Sequence, residues 1–516
     1  MEKRPSSMAG AGIARHATRM SILAAMLMAM PAATWSQTGG PPEDSPVLRF
    51  ETDTTIEYTA RSADVLVEDY AHKNAIDIRR NFLDKAPLER LVLEYGAPQG
   101  LNLAVEAELR AEWTGDFFTP TNLVLLGESG NPVAIQNKNI ARGVAYWLSP
   151  NLDIYFGRDR VDLNDGLKGG FLPSFRIPYY DAIRAQGRLG PLTMDWMVST
   201  IQARKSWEAN EYDDDSYDVN PNVTRADPIG SINSYYGWED STNPTIIVEA
   251  LHHFAWDFGA FRMGVSGHTM MSRRNNKFVL TDFFPVVSWH QTGVLQTNNS
   301  MVLDFRYDFN DRLALLAQAG FDDINGAIFG IGDTAAPTID AYALGVRYTG
   351  DMPAGGFGLY AEVGYTQRLW GNYDGTHNMP YDQNPFMRFI ARYLVDGGSI
   401  LLPLTSPYGP GALWLSASGE FPLGVPGLSG GFELLLLRRD RETDLVSTDF
   451  YGPEADKGQL YFASLSLPLR YKLGYLELSA KPAALLRDKD FWVEASLSVS
   501  WRYRSETSIG RRAWGE

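Results

Sequence analysis

The residues of this chain best suited to chemistry lie between 157 and 180, where Arg158, Arg160, Asp162, Asp165, Lys168 and Arg176 are interleaved with Tyr179 and Tyr180. Guanidinium groups hold carboxylates through paired hydrogen bonds, and rings stack on cations and sugar faces. This mixture suits an anionic sugar or a charged solute, so Arg158, Arg160, Asp162, Asp165, Arg176, Tyr179 and Tyr180 are read as ligand-binding or lumen-lining residues. Gly166, Gly169, Gly170, Pro173 and Pro178 in the same stretch mark tight backbone. A packed inner loop or constriction therefore reads the residues equally well.

Other constellations are weaker. Asp213, Asp214 and Asp215 sit in the acidic run 211–218 and offer hard oxygen ligands suited to calcium. Their spacing is not that of an EF-hand loop, and a solvated loop is the plainer reading. His252 and His253 are adjacent, so on a strand they face opposite ways and make no two-histidine metal site. The same geometry separates Asp322 from Asp323, which read as a turn cap rather than an acid/base pair. Nucleophile motifs, phosphate loops and zinc-ligand spacings are absent, so no catalytic residue and no cofactor is expected.

The elements that must position these residues are strands. In 491–503 one alternate set reads Phe, Val, Ala, Leu, Val, Trp, Tyr and the other Trp, Glu, Ser, Ser, Ser, Arg. Alternation at period two marks a strand, and an apolar face ending in aromatics matches a tilted transmembrane strand with interfacial girdles. Residues 101–113 repeat it with Leu, Leu, Val, Ala, Leu, Ala, Trp on one face and Glu106, Glu108, Arg110 and Glu112 on the other. Similar arms fall at 88–95, 141–148, 152–158, 180–189, 192–201, 246–256, 261–268, 301–309, 313–320, 342–348, 359–365, 413–421, 431–437, 461–469 and 474–481. Short turns alternate with long polar segments such as 206–244, 369–384 and 438–457. The reading is an all-β transmembrane antiparallel barrel of about 18 strands (roughly 16–20), with short periplasmic turns and long extracellular loops.

Composition agrees. Mean hydropathy is −0.22 while aromatics make 12% of residues, as expected when lumen residues dilute lipid-facing ones. Residues 1–36 read as a signal peptide, with a basic start and the apolar run 22–30, too short to span a bilayer. The formal charge is −16, and removing residues 1–36, which hold Glu2, Lys3, Arg4, Arg15 and Arg19, leaves −19. Nucleic acid is excluded as a main partner on that charge. The absence of cysteine excludes disulfides and thiolate sites. Residues 37–86 read as an N-terminal periplasmic segment with a short helix or a first strand, 87–504 as the barrel, and 505–516 as a C-terminal tail. A large plug domain has no room before residue 88.

Between 152 and 199 the chain carries Gly157-Arg158, Asp165-Gly166 with Gly169-Gly170, Pro173, Pro178-Tyr179-Tyr180 and Gly190-Pro191. Later come His252-His253-Phe254 with 263–266, Thr297-Asn298-Asn299 with 303–305 and 320–323, and Ala391-Arg392-Tyr393 with Pro403-Leu404 and Tyr408-Gly409-Pro410. In pattern, over about residues 150–500, this resembles the capsule assembly Wzi family of outer-membrane β-barrels. Where that family carries a Trp-Gly-Pro-Gly type of turn, this chain has Asn164-Asp165-Gly166-Leu167. The resemblance implies a non-enzymatic outer-membrane protein that binds or attaches surface polysaccharide in capsule or exopolysaccharide assembly. The barrel reading itself implies outer-membrane lipid and the outer-membrane assembly machinery as partners. The alternative is a porin-type channel for small, charged solutes.

Overall fold

The computed structural model describes residues 46–62, 84–97, 100–110, 122, 140–204, 245–274, 297–323, 338–368, 370–371, 389–395, 398–440 and 458–508. The expected signal peptide, the candidate helix at 65–70, the helix-or-strand segment 76–82, and the acidic run 211–218 with Asp213, Asp214 and Asp215 lie outside the described residues.

Alternating side chains and tight turns give a succession of antiparallel hairpins. The first strands are β1 (Val47–Arg61), β2 (Glu89–Gly96), β3 (Leu101–Leu109), β4 (Ile140–Trp147), β5 (Leu152–Asp159), β6 (Tyr180–Leu189) and β7 (Leu192–Arg204). Next come β8 (Thr245–Asp257), β9 (Phe261–Arg274), β10 (Thr297–Asp308), β11 (Leu313–Asp323), β12 (Ile339–Met352) and β13 (Gly355–Thr366). After a separate hairpin of β14 (Ile390–Val395) and β15 (Gly398–Pro403), the wall resumes with β16 (Ala412–Pro422) and β17 (Leu428–Asp440). It ends with β18 (Gln459–Ser466), β19 (Leu469–Leu473), β20 (Leu476–Arg487) and β21 (Asp490–Ser508).

Each wall strand pairs with its neighbour, and β21 pairs with β1 from Val47↔Ser508 to Arg61↔Glu494, so the sheet closes. β18 and β19 both lie between β17 and β20 and form one stave. The break falls at Pro468, which has no N–H to give to the ladder. Its carbonyl accepts from Gly431 N at 2.9 Å, and Leu467 N donates to Pro482 O at 2.9 Å. Counting that pair once gives a closed antiparallel barrel of 18 staves, an even number as the class requires.

The two faces of the wall are chemically opposite. On β21, Phe491, Val493, Leu497, Val499 and Trp501 are exposed, Leu497 at 57%, while Trp492 on the alternate face is only 5% exposed. Large apolar side chains are exposed in the same way at Leu91, Leu93, Leu101, Leu103, Val105, Leu344, Val346, Leu413 and Leu415. Such a surface on a closed sheet with no free edge is a membrane-spanning barrel, because lipid tolerates exposed apolar groups but not unpaired backbone. Trp501 and Tyr503 stack at 6.1 Å on this outer face, and Phe50 lies 6.5 Å from Tyr503 across the closing pair. They form part of the aromatic girdle of an outer-membrane barrel.

The barrel starts earlier and ends later than the expected 87–504. Residues 47–61 are a full stave, so of the two elements expected within 37–86, a short helix or a first strand, the strand is present and it belongs to the barrel. The outward positions Thr52 and Thr54 interrupt the apolar alternation that would have marked it. Likewise 505–508 belong to β21, not to a tail.

Replacing outward Val499 by Arg should cost about 2–4 kcal/mol of folding stability if it sits near mid-membrane, whereas lumen-facing Ser498→Arg should cost well under half of that. Urea-unfolding midpoints in lipid vesicles would read the difference. Equal losses would mean the two faces had been exchanged.

Candidate functional site

Residues 160–179 connect β5 to β6 at the end of the barrel that carries the long connections. They do not stay at the rim. They cross the lumen and are tied to strands on the far wall, and the ties are made mostly through backbone.

Glu362, on the inward face of β13, accepts from Lys168 N at 2.7 Å and Gly169 N at 2.8 Å. It also accepts from Trp414 Nε1 at 2.7 Å and from the Tyr360 hydroxyl. Gln318 of β11 accepts from Phe171 N at 2.8 Å and donates to Asn164 Oδ1 at 3.2 Å. Asn164 folds the segment on itself, donating to Leu172 O at 2.8 Å and accepting from Leu172 N at 3.0 Å. A buried carboxylate and two buried amides are costly unless every polar atom is met, and here they meet main-chain groups that would otherwise be orphaned. Gly169 is required by proximity: a Cβ there would stand 2.6 Å from the Trp414 ring.

Apolar packing completes the crossing. Phe171 and Leu172 are fully buried, and Phe171 meets Trp370 edge-on at 5.3 Å and Trp414 at 6.4 Å. Trp370, Phe389, Leu404 and Tyr408 come from described residues between β13 and β16, which also include the β14–β15 hairpin. Each such buried side chain contributes about 1.5–3 kcal/mol relative to exposure. The core therefore sits inside the barrel, against the inward faces of strands from β7 round to β21.

The remaining wall, β1 to β5, carries charge instead. Glu108 accepts from Arg142 at 2.8 Å and Arg110 at 2.7 Å, and also from Arg160. Glu106 meets Arg90 and Arg142, the latter at 3.2 Å, and Arg90 reaches Glu51 at 3.0 Å. Four guanidinium groups thus meet three carboxylates. Arg142 also donates to Pro178 O at 2.8 Å, tying the crossing segment to this wall. Glu108 and Arg142 are buried, but Arg90 and Arg160 keep side-chain exposures of 30% and 36%. Below them, toward the short turns, lumen-facing Arg49 and Glu506 are 47% and 53% exposed.

The residues expected to line the lumen separate into groups. Arg160 joins the charged wall. Asp165, at φ 52°, reaches across to Arg262 of β9 at 2.8 Å. Asp162 Oδ1 accepts from Asn164 N at 3.0 Å, and burial pushes its carboxyl above the ordinary range. The Arg176 guanidinium lies 5.7 Å over the Tyr408 ring. Tyr180 is not on the lumen surface: it is 3% exposed, inside the apolar core. Arg158 is a correction. By register it shares the face of Phe156 and Gly143, which is the outward one, and it pairs with Asp181 at 2.6 and 2.8 Å. Tyr179 covers the same guanidinium at 4.0 Å, so neither residue lines the lumen. Strand alternation, carried on past Phe156, is the physical reason.

Sequence reading missed Glu362, Gln318, Asn164, Trp370 and Trp414. Each polar member is a single inward residue on a strand, and only the far-side position of the partner backbone makes it special. The buried polar pairings on β6–β10 were missed as well, His253 having been weighed only as a metal ligand. His253 Nε2 is 2.9 Å from Asp304, and Arg184 donates to Asp195 at 2.9 Å. Ser199 donates to Glu249 at 2.6 Å, and His268 bonds the other oxygen of that carboxylate. The carboxylate stands between hydroxyl and imidazole, so the imidazole does not reach the serine oxygen as a base. Asp322 caps Gly371 N at 2.9 Å.

Fold and interior together define a class: an outer-membrane β-barrel whose lumen is crossed by its own inward-folded connections. No protein-family model matches the chain, and no curated protein matches it in sequence. Among solved structures it is similar to Acinetobacter baumannii OccAB4, at 9% identity and TM-score 0.44 over 90% of this chain and 100% of that one. It is also similar to Pseudomonas aeruginosa OprD, at 11% and 0.41 over 90% and 96%. For Pseudomonas aeruginosa OpdK with vanillate the values are 10% and 0.41 over 89% and 99%. These likenesses assign no family.

Glu362→Ala should leave the Lys168, Gly169 and Trp414 donors without their acceptor and lower stability by about 2–4 kcal/mol. Protease cleavage within 160–179 should rise with it, and unchanged cleavage would refute the role given to Glu362.

Proposed function

We propose that the barrel is a non-enzymatic channel for small charged solutes, narrowed by residues 160–179. The observation that supports this reading is the division of the interior. Apolar packing fills much of the side from β7 round to β20, with exposed charge left at Lys481 and Glu433, while the wall from β21 through β5 keeps partly hydrated charges from Arg49 and Glu506 up to Arg90 and Arg160. Charged side chains lining a water-filled lumen set which ions pass. Arg90 and Arg160 are the partly exposed cations at this level and favour anions there, although the whole chain is acidic.

Binding or attachment of surface polysaccharide, which the resemblance to the Wzi family implies, is a second reading. It is favoured by the core that residues 160–179 build with those between β13 and β16, because a lumen filled by side chains suits a barrel that holds rather than conducts.

Planar-bilayer recording separates the two. A channel should give stable conductance, and converting Arg90 and Arg160 to Gln should lower its anion-to-cation permeability ratio several-fold. A silent barrel that is retained on a polysaccharide column would overturn the channel and support attachment.

A further inference from the structure

The closing pair β1–β21 differs from every other junction in the wall. Elsewhere strands adjacent in space are consecutive in the wall, and a connection between them limits their register, most tightly at turns such as 190–191 and 474–475. β1 and β21 come from opposite ends of the barrel sequence, so no turn limits theirs. Backbone hydrogen bonds alone are equally satisfied by any shift of two residues, and a shift of one exchanges the two faces.

The lumen-facing side chains break this degeneracy. Arg49 stands opposite Glu506, with Nε–Oε2 2.9 Å. Asp53 stands opposite Arg502 at 2.8 Å, and Arg61 opposite Glu494 at 3.1 Å. Glu51 faces Arg504. Between them Thr55 bonds Ser500 and Thr59 bonds Ser496, both at 2.8 Å. Charge meets opposite charge, and hydroxyl meets hydroxyl. Shifting β21 by two residues one way sets Glu51 against Glu506 and keeps one opposite pair, Asp53 with Arg504. The other way sets Arg49 against Arg504 and keeps only Glu51 with Arg502.

We infer that the ion pairs Arg49–Glu506, Asp53–Arg502 and Arg61–Glu494 are a register code for barrel closure, read on the lumen side of the seam. Stagger and strand number together fix the diameter of a barrel. The code therefore sets the bore of the lumen as well as the closure of its wall. The exterior of the seam cannot supply it: Thr52, Thr54, Ile56 and Tyr58 face Tyr503, Trp501, Val499 and Leu497, and apolar contacts tolerate a two-residue shift far better than charges do.

A cysteine-free chain makes the test direct. Thr59→Cys is combined with either Ser496→Cys or Ser498→Cys, and disulfide formation is read in barrels folded into vesicles. With native charges the 59–496 pair should cross-link and the 59–498 pair should not. The triple change Glu494→Arg, Arg502→Glu, Glu506→Arg puts like charges together in the native register. A shift of two instead gives Glu51 and Asp53 each an arginine. Cross-linking should then move to 59–498, or folded yield should fall several-fold. Adding Arg49→Glu, Asp53→Arg and Arg61→Glu should restore both the yield and the 59–496 cross-link. Native yield and an unmoved cross-link in the triple variant would overturn the inference. Because Arg49 and Asp53 also face Glu94 and Arg90 of β2, the single exchange Arg61→Glu with Glu494→Arg is tested beside the six-fold variant. Failure of both to recover would overturn the inference too, since the residues would then matter singly and not as pairs.

Discussion

Everything in this molecule rests on the need to satisfy backbone hydrogen bonds where no water is present. A sheet in lipid must have no edge, and β21 therefore returns to β1 along fifteen consecutive residue pairs. Once the sheet is closed, alternation leaves one set of side chains to the lipid and the other to the interior. The interior set must then be hydrated, paired or packed. All three solutions are present: hydrated near Arg49 and Glu506, paired around Glu106 and Glu108, and packed around Phe171 and Trp414.

The packed solution is the unusual one. A lumen of 18 staves is too wide for side chains of the wall to fill, so the chain sends its own connections inward. Those connections bring backbone groups into a confined space, and each must find a partner. Glu362, Gln318 and Asn164 are the partners. The apolar core of this protein thus depends on a few buried polar residues that hold its main chain in place.

The wall was legible in the sequence because a period of two is written into every stave, from 101–109 to 491–503. Counting bounded the staves at roughly 16–20, the even number typical of such barrels pointed to 18, and the asymmetry of connections followed from their lengths. β1 was not legible, since Thr52 and Thr54 weaken its apolar face. Of the site, the segment 157–180 stood out by composition, and Arg160 and Asp165 do face inward. The ends of the segment misled: Arg158 and Tyr179 continue the outward alternation of β5 and β6, and Tyr180 is packed away. The anchors on β11, β13 and β16 were illegible, because a lone Glu, Gln or Trp on an inward face looks the same with or without a chain lying over it.

The crossing segment is held at Lys168, Gly169, Phe171 and Leu172 by their main-chain groups, and at Phe171 and Leu172 by buried side chains as well. Its path therefore depends on Gly169, Phe171 and Leu172 far more than on the charged side chains beside them. Asp165, Lys168 and Arg176 are in effect fittings on a fixed rail. A lineage could exchange them, and with them the charge this segment presents inside the barrel, while the rail and its mountings stayed where they are.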